Sequence, residues 1–539
     1  MFRGIYQDIC ARLPYYKSDW IDGFNYRVIP TTIFVYFANI LPAISFAQDM
    51  FDRTDKSYGI SEVLLGCAMG GVIFGIFSGQ PLCIVAVTAP ITIFNYTVFE
   101  IVVPRGTPFF PFMAWICIWS FIMHILIAIF EAVSLVKYVT LFSCDMFGLF
   151  INIVYLEKGV QLLIRQFEKA EPTIESVAGA YFSISIALCM FIFGFGFNIL
   201  AAKSPFFTKA TRVFILDYSL PLCVVFFTGL SFFPGRISRL DIQRLDSGIA
   251  FQPTTNQYGR DHGWFVHFWD LDVGNVFLAI PFGILLTALF YFDHNISSVM
   301  CQGPQFKLRK PAGFHWDFVL LGVTTLLSGL LGLPAPNGLI PQAVLHTQSL
   351  VLGPSDDIDS DYHGRPRPSY VLEQRVTATA QGLLTLATMA GPFLVVLRLV
   401  PQGVLAGLFW MMSTDMLDNE IMRRVGLLIT EKSLRNIDDP LNQLPRKWLY
   451  LIVFLSLCGV AAQVAITQTI AAIGFPAVLF LFIIIGALLP KFIPSDCLEY
   501  LDGPAASSFI LDTLNPPPLR EKKSSTPSLA QDECDQEKG

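Results

Sequence analysis

An all-α polytopic membrane protein of about fourteen transmembrane segments is the fold class that three features of this sequence predict. Its 539 residues are 53% hydrophobic and only 14% charged, a balance unlike that of a soluble chain of this length. Apolar stretches recur at the length of about 20 residues that crosses a bilayer's hydrocarbon core. Two of these stretches break at matching places in the two halves. Ser78-Gly79-Gln80-Pro81-Leu82 leads on to Thr88-Ala89-Pro90, and Pro334-Ala335-Pro336-Asn337-Gly338 leads on to Pro341-Gln342. Pro/Gly-interrupted spans in corresponding positions of two inverted repeats are the sequence mark of a secondary transporter's binding site.

Residues 1–29 lack the apolar core of a secretory signal and carry Arg3, Arg12, Lys17 and Arg27. Ile5, Ile9 and Leu13 recur at i, i+4 and i+8, the stripe of a short amphipathic helix at the membrane interface. The segment therefore reads as a cytoplasmic N-terminal arm. Seven candidate spans follow near 30–48, 59–78, 82–100, 110–135, 141–166, 177–201 and 211–232, a first repeat over 30–232. A long outer loop over 233–274 leads to a second repeat over 275–493. Its candidates lie near 275–299, 316–333, 336–350, 373–397, 401–416, 448–472 and 474–492.

Orientation follows from the basic residues. With the N-terminus inside, inner connections hold Lys203, Lys209, Arg212, Lys307, Arg309, Lys310, Arg365, Arg367, Arg423, Arg424, Lys432, Arg435, Arg446 and Lys447. The positive-inside rule then puts both termini in the cytoplasm. Arg236, Arg239, Arg244 and Arg260 in the 233–274 loop run against it, but charge in a connection that long counts for less. Residues 494–539 are rich in Pro, Ser, Asp, Glu and Lys and read as a disordered cytoplasmic tail. The net charge of -6 gathers in loops and tail and says little about partners; those expected are the lipid bilayer and a small solute, and no nucleic acid. None of the eleven cysteines forms a CxxC pair; no disulfide, metal site or cofactor is expected.

The two breaks carry the functional reading. A proline inside a span removes a backbone donor and leaves carbonyls unpaired, a cost tolerated only where protein or a water-filled cavity satisfies them. Helices starting at about Ala89 and Gly338 would aim free N–H groups and positive dipole ends at one another, a cradle for an anion without a fixed cation. Pro81, Pro90, Pro334 and Pro336 mark the half-helix breaks. A pair of ordinary proline kinks packed against neighbours is the plain alternative.

Asp293 sits deep in an apolar span, where an ionisable side chain is expensive and points to function. It could carry a proton or contact the solute, whereas His294, about 100° round the helix, reads as a packing residue. Glu157, Lys158 and Arg165 read as an internally paired group. Gly66, Gly70, Gly71, Gly75 and Gly79 read as a close-packing stripe.

The sequence resembles a known family on Asp19-Trp20, Pro30-Thr31-Thr32, Leu41-Pro42-Ala43-Ile44-Ser45-Phe46, Gly79-Gln80-Pro81-Leu82, Tyr291-Phe292-Asp293-His294, Leu308-Arg309-Lys310-Pro311, Gly332-Leu333-Pro334, Asn337-Gly338-Leu339-Ile340-Pro341-Gln342, His346-Thr347 and Glu373-Gln374-Arg375. In that order and spacing they are similar to the bicarbonate and borate transporters that include the animal anion exchangers, most closely the plant and fungal borate-exporter branch. The resemblance implies a seven-plus-seven inverted repeat in a homodimer. Spans 1–4 and 8–11 would form a mobile core, and spans 5–7 and 12–14 a gate. Substrate would lie at Thr88, Ala89, Asn337 and Gly338, with Asp293 beside them, and would move by an elevator-like shift of core against gate. Where the animal exchangers carry a basic residue at the start of the tenth span, this chain has Gln342, a donor and acceptor without charge. The large soluble N-terminal domain of the animal exchangers has no counterpart in this sequence.

The expected function is export of borate or boric acid across the plasma membrane, with a vacuolar pool as a variant, and with proton linkage through Asp293. A bicarbonate or other small-anion exchanger is the alternative within transport. From another class, an intramembrane aspartyl hydrolase would use Asp217 and Asp293, but the Gly-x-Gly-Asp arrangement is missing. A scaffold acting through its tail is the third reading. No enzyme activity is expected.

Overall fold

The computed structural model describes residues 2–514 apart from 204–206, 246–250, 262, 353–369, 431–440, 442–443, 470–471 and 473. Two short helices, α1 (Arg3–Arg12) and α2 (Tyr16–Ile21), precede α3 (Val28–Arg53) and α4 (Ile60–Phe77). An extended stretch holding β1 (Val85–Ala86) leads into α5 (Ala89–Val102), followed by α6 (Phe109–Ile129), α7 (Leu141–Lys169), α8 (Ile174–Lys203) and α9 (Lys209–Leu230). The order long helix, long helix, strand, short helix then recurs as α10 (Val273–Met300), α11 (Phe314–Leu331), β2 (Asn337–Gly338) and α12 (Ile340–Ser349). Strands β3 (Val351–Leu352) and β4 (Tyr370–Val371) pair antiparallel. Next come α13 (Val376–Thr388), α14 (Gly391–Arg398), α15 (Gln402–Met412), α16 (Glu420–Ile429), α17 (Arg446–Thr467) and α18 (Phe475–Leu488). Finally, α19 (Ser495–Leu501) and α20 (Ser508–Leu514) close the described chain.

Among the described residues, eight helices are long and apolar enough to cross a bilayer, nine if α13 and α14 count as one span bent by 86° at Met389-Ala390. The sequence reading expected half-helices at the two breaks, and the structure has short helices there and also within the candidate spans 401–416 and 474–492. Helices α5, α12, α15 and α18 have 14, 10, 11 and 14 residues, about 15–21 Å each, short of a core about 30 Å thick. A proline stands in the first turn of α5, α12 and α18 and directly before α15. Proline suits the first turn but cannot extend a helix backwards, so the apolar run before it is used as loop or strand.

The N-terminal arm is helical, but it docks by its polar side. Gly4, Asp8 and Arg12 are buried, while Ile9 and Leu13 of the expected apolar stripe are exposed. Asp8 accepts hydrogen bonds from the N–H groups of His315 and Trp316 at 2.7 and 3.1 Å, capping α11. Arg12 pairs with the fully buried Asp19 at 2.9 Å, and Lys310 and Arg375 reach the same carboxylate at 2.7 and 3.0 Å. Satisfying these helix ends and charges outweighs burying two aliphatic side chains, which remain free to face an interface.

The expected disordered tail is corrected over its first part. Residues 495–501 and 508–514 are helical, with Leu501, Ile510 and Leu514 buried. Asp502 caps α7 by accepting from Phe142 N–H at 2.9 Å. Burial raises its carboxyl above the usual range, an effect that this bond and others partly oppose. The rest of that call, 515–539, lies outside the described residues. The arm and helix α20 share a side of the bundle: Ser134 contacts both His315, whose N–H donates to Asp8 of the arm, and the Leu514 carbonyl, each at 3.3 Å. This is called the arm side below.

On the opposite side, the 233–274 loop is packed onto the bundle rather than merely linking its halves. Arg260 and Glu62 are both fully buried and 3.0 Å apart, and Arg260 also donates to Leu331 C=O at 3.0 Å, the C-terminal end of α11. One basic residue that ran against the orientation rule thus serves as a buried partner. The glycine stripe on α4 does permit close approach. A Cβ on Gly70 would stand 2.8 Å from Pro336, and one on Gly66 2.8 Å from Pro334 C=O, so the second broken segment runs directly over α4.

Candidate functional site

The two broken segments meet. Val85 pairs with Gly338 and Ala86 with Asn337 in a two-residue antiparallel ladder, extended by a bond from Leu339 N–H to Ile84 C=O at 2.9 Å. This ladder supplies partners for backbone that proline has denied a helix. Asp317, in the first turn of α11, supplies more: its carboxylate accepts from Gly79 N–H and, at 2.9 Å, from Gln80 N–H. Helix α5 starts at Ala89 as expected, but α12 starts at Ile340, two residues past Gly338, because Asn337 and Gly338 are used in the ladder. Neither helix has a side-chain cap, so the N–H groups and positive dipole ends of both remain available.

Around these ends lies a cavity of about 20 Å³, the room of one or two waters. Thr88, Ala89 and Pro90 line it from the first break, and Gly338, Leu339, Ile340 and Pro341 from the second. Asp293 of α10 forms a third wall, and Phe147, Ile151 and Tyr155 of α7 close it. Among the described residues no lysine, arginine or histidine lines it. Thr88 Oγ1 and one Asp293 carboxylate oxygen are buried without a hydrogen-bond partner. The other Asp293 oxygen accepts from Asn337 Nδ2 at 3.3 Å, while Asn337 Oδ1 accepts from Gly338 N–H at 2.8 Å. Gln342 stands one layer back, donating to the Tyr155 hydroxyl at 3.5 Å, with its Oε1 unpartnered.

The structure therefore brings Thr88, Ala89, Pro90, Asp293 and Gly338 to one cavity, with Asn337 and Gln342 attached through a hydrogen bond each. Pro81, Pro334 and Pro336 shape the breaks without lining the cavity. His294 faces away, its ring edge-on to Phe74 at 5.3 Å. The α7 wall was missed from sequence: Phe147, Ile151 and Tyr155 recur at i, i+4 and i+8, a spacing no different from a packing stripe.

Lys158 and Arg165 are paired, but not with Glu157. Lys158 is 2.7 Å from Asp49 of α3, and Arg165 contacts the same carboxylate, with Lys169 2.7 Å from Asp52. These bonds tie α3 to α7 on the side away from the arm. Two larger vestibules flank the central cavity. One, of about 260 Å³, opens away from the arm between Arg53, Tyr96, Glu100, Glu157, Lys158 and Gln468. The other, of about 300 Å³, opens on the arm side and shares Ile340 and Pro341 with the central cavity. Among the described residues no three metal-ligating side chains come together.

Opposed helix N-termini around a small cavity that holds a buried carboxyl group, with a vestibule on either side, define a secondary membrane transporter. The chain belongs to the HCO3- transporter family: the HCO3- transporter integral membrane domain matches residues 1–181 and 173–506. Membership makes it a multi-pass membrane transporter and not an enzyme, which removes the hydrolase reading; Asp217 lies in α9, and its side chain is outside the described residues. The chain is 47% identical over 521 residues to Boron transporter 1 of Saccharomyces cerevisiae, covering 96% of this chain and 88% of that protein. It is 30% identical to Boron transporter 4 of Arabidopsis thaliana over 65% of this chain and 53% of that one. It is 25% identical to the Electrogenic sodium bicarbonate cotransporter 4 of Rattus norvegicus over 93% of this chain and 50% of that one. In three dimensions it is similar to the transmembrane domain of the cyanobacterial bicarbonate transporter BicA, with a TM-score of 0.50, 14% identity, and coverage of 86% of this chain and 98% of that one. That likeness concerns the fold.

Proposed function

We propose that this protein exports boric acid or borate across the plasma membrane. The observation that carries the proposal is the cavity at the helix ends: two uncapped N-termini, an unpartnered Thr88 hydroxyl and an unpartnered Asp293 oxygen, with no basic side chain among the described residues. Such a site offers donors and acceptors to a polyhydroxylated solute and only dipole ends to its charge. The 47% identity to a protein named a boron transporter supports the same substrate class. Thr88, Ala89, Asp293, Asn337, Gly338 and Gln342 are the proposed contacts, and Asp293 the proposed point of proton linkage.

In the proposed architecture fourteen segments, some of them half-helices, form a seven-plus-seven inverted repeat in a homodimer with both termini cytoplasmic. Spans 1–4 and 8–11 move as a core against a gate of spans 5–7 and 12–14. The ion pairs from Asp49 to Lys158 and Arg165 join α3 of that core to α7 of that gate, so the elevator step exchanges them. The central cavity is closed on one side by Phe147, Ile151 and Tyr155 of α7, and the proposed elevator step moves α7 relative to the helix ends.

The test is intracellular boron in cells lacking their own exporter, with and without this protein, under boric acid challenge. Lower boron than in the control, lost in Asp293→Asn at equal surface expression, is the expected result. Equal boron despite surface expression rejects the substrate, and the same cells then test bicarbonate.

A further inference from the structure

The central cavity adjoins one vestibule and not the other. It shares Ile340 and Pro341 with the vestibule on the arm side, whereas among the described residues it has no lining residue in common with the vestibule away from the arm. A layer of aromatic rings stands at that second boundary. Phe46 of α3, Tyr155 of α7 and Phe409 of α15 are all buried, and each packs on the other two. Their ring centroids lie 6.5 Å apart for Phe46 and Tyr155, 5.6 Å for Phe46 and Phe409, and 5.7 Å for Tyr155 and Phe409, all within the range of favourable ring contacts. Phe46 and Phe409 also border a space of only about 10 Å³ together with Asp49, Lys158 and Arg165, and Lys158 in turn lines the vestibule away from the arm. The succession from the cavity is therefore tyrosine, aromatic layer, ion pairs, vestibule. Three mutually packed rings offer a solute no polar path, the property of an apolar constriction.

A second observation concerns the tyrosine hydroxyl. Of the three rings only Tyr155 lines the central cavity, and of the α7 wall residues only Tyr155 is polar. Its oxygen accepts from Gln342 Nε2 at 3.5 Å, and its own proton has no acceptor among the described residues. A bond of 3.5 Å is at the long limit, against about 2.7–2.8 Å for a good O–H···O bond, so a solute oxygen in the cavity competes for this group on favourable terms. The hydroxyls of boric acid and of tetrahydroxyborate both donate and accept. One can accept from Tyr155 while others meet the unpartnered Thr88 hydroxyl and Asp293 oxygen.

We infer that Tyr155 links solute to barrier: its hydroxyl donates to the solute in the central cavity, while its ring, packed with Phe46 and Phe409, seals that cavity from the vestibule away from the arm. The inference rests on the boron-export reading for the solute and on the proposed core and gate for the motion. Phe46 belongs to that core and the other two rings to that gate, so the layer spans the boundary along which the core slides. A solute that engages the hydroxyl acts on a ring of the layer that parts.

The experiment uses intact cells lacking their own exporter, loaded with boric acid and carrying the full chain at equal surface expression. Tyr155→Phe keeps the ring and removes the hydroxyl. It is expected to raise the internal boron concentration that half-saturates efflux by about fivefold or more, with the maximal rate within about twofold of the unmodified protein; a merely structural loss would lower the rate without moving half-saturation. The barrier is read on an Ile151→Cys background, which places a thiol in the cavity wall. Boron-free cells are exposed to a membrane-impermeant methanethiosulfonate outside, and modification at position 151 is followed by peptide mass. Adding Phe409→Ala is expected to speed that modification on the order of tenfold, and adding Tyr155→Phe to leave it unchanged. Phe409→Leu, which keeps bulk but loses the ring contacts, is expected to fall between and stands in if Phe409→Ala is not recovered at the surface. Unchanged half-saturation in Tyr155→Phe, or modification no faster in the Phe409 variants, overturns the inference while leaving export intact. Unmodified protein that moves no boron above the control overturns the boron reading and the solute contact with it, and the modification rates, which need no boron, then decide the barrier alone.

Discussion

Gly338→Ala probes the ladder that holds the two half-helices together. A Cβ built at Gly338 would stand 2.9 Å from the His294 Cα and 3.0 Å from the Ser297 Cβ, against an ordinary contact of about 3.5–4.0 Å. Neither atom can rotate away, since one is helix backbone and the other is the first side-chain atom. Strand β2 must therefore retreat from α10 by roughly 0.5–1 Å, and overpacking of this kind costs about 1–3 kcal/mol. The hydrogen bond from Asn337 to Asp293 is already 3.3 Å long, so the same retreat takes it beyond hydrogen-bonding distance. Two readouts are expected to move together: a lower thermal unfolding midpoint in detergent, and boron efflux reduced by tenfold or more at equal surface expression. Gly196→Ala is the control, because a Cβ there meets nothing within 4 Å and alanine favours helix by up to about 1 kcal/mol. Normal efflux and an unchanged midpoint in Gly338→Ala would refute the argument that close approach of β2 to α10 builds the site.

Three further substitutions test other contacts. Asp293→Asn is expected to abolish boron efflux while leaving the unfolding midpoint within a few degrees, and efflux with an unaltered pH response would remove Asp293 from the proton-linkage reading. Asp49→Asn leaves Lys158 without its 2.7 Å partner, a loss of up to about 3–5 kcal/mol; adding Lys158→Gln should restore part of the midpoint, and a double variant no better than the single one would show that the pair is not coupled. Glu62→Gln strands the fully buried Arg260 and weakens bonds from Thr254 and Gly59, also at about 3–5 kcal/mol, so a midpoint unchanged in a thermal scan would count against the packed outer loop.

Much of the site was legible in the sequence because proline, glycine and a buried carboxylate act locally. Pro90 and Pro341 each end a run and start a helix wherever they stand, and Asp293 in an apolar span is costly whatever surrounds it. Asp317 and Tyr155 were not legible. The aspartate's bonds to Gly79 and Gln80 join residues 238 and 237 positions apart, and the tyrosine looks like any aromatic on a helical stripe. The arm shows how a local pattern can mislead. Its aliphatic spacing indicated a helix, but Asp8 and Arg12 determined which face docks, because their partners lie some 300 residues away.

By itself, then, the sequence determined that the chain is a helical membrane protein, where its helices break, and that Asp293 lies deep in an apolar span. Backbone geometry and transfer into lipid impose those outcomes residue by residue. Only the tertiary structure decided that the breaks pair as β1 and β2, that α7 closes the cavity, and that Asp49 rather than Glu157 holds Lys158. Each of these depends on groups far apart in sequence meeting at distances of a few ångströms, and no local pattern encodes such a meeting.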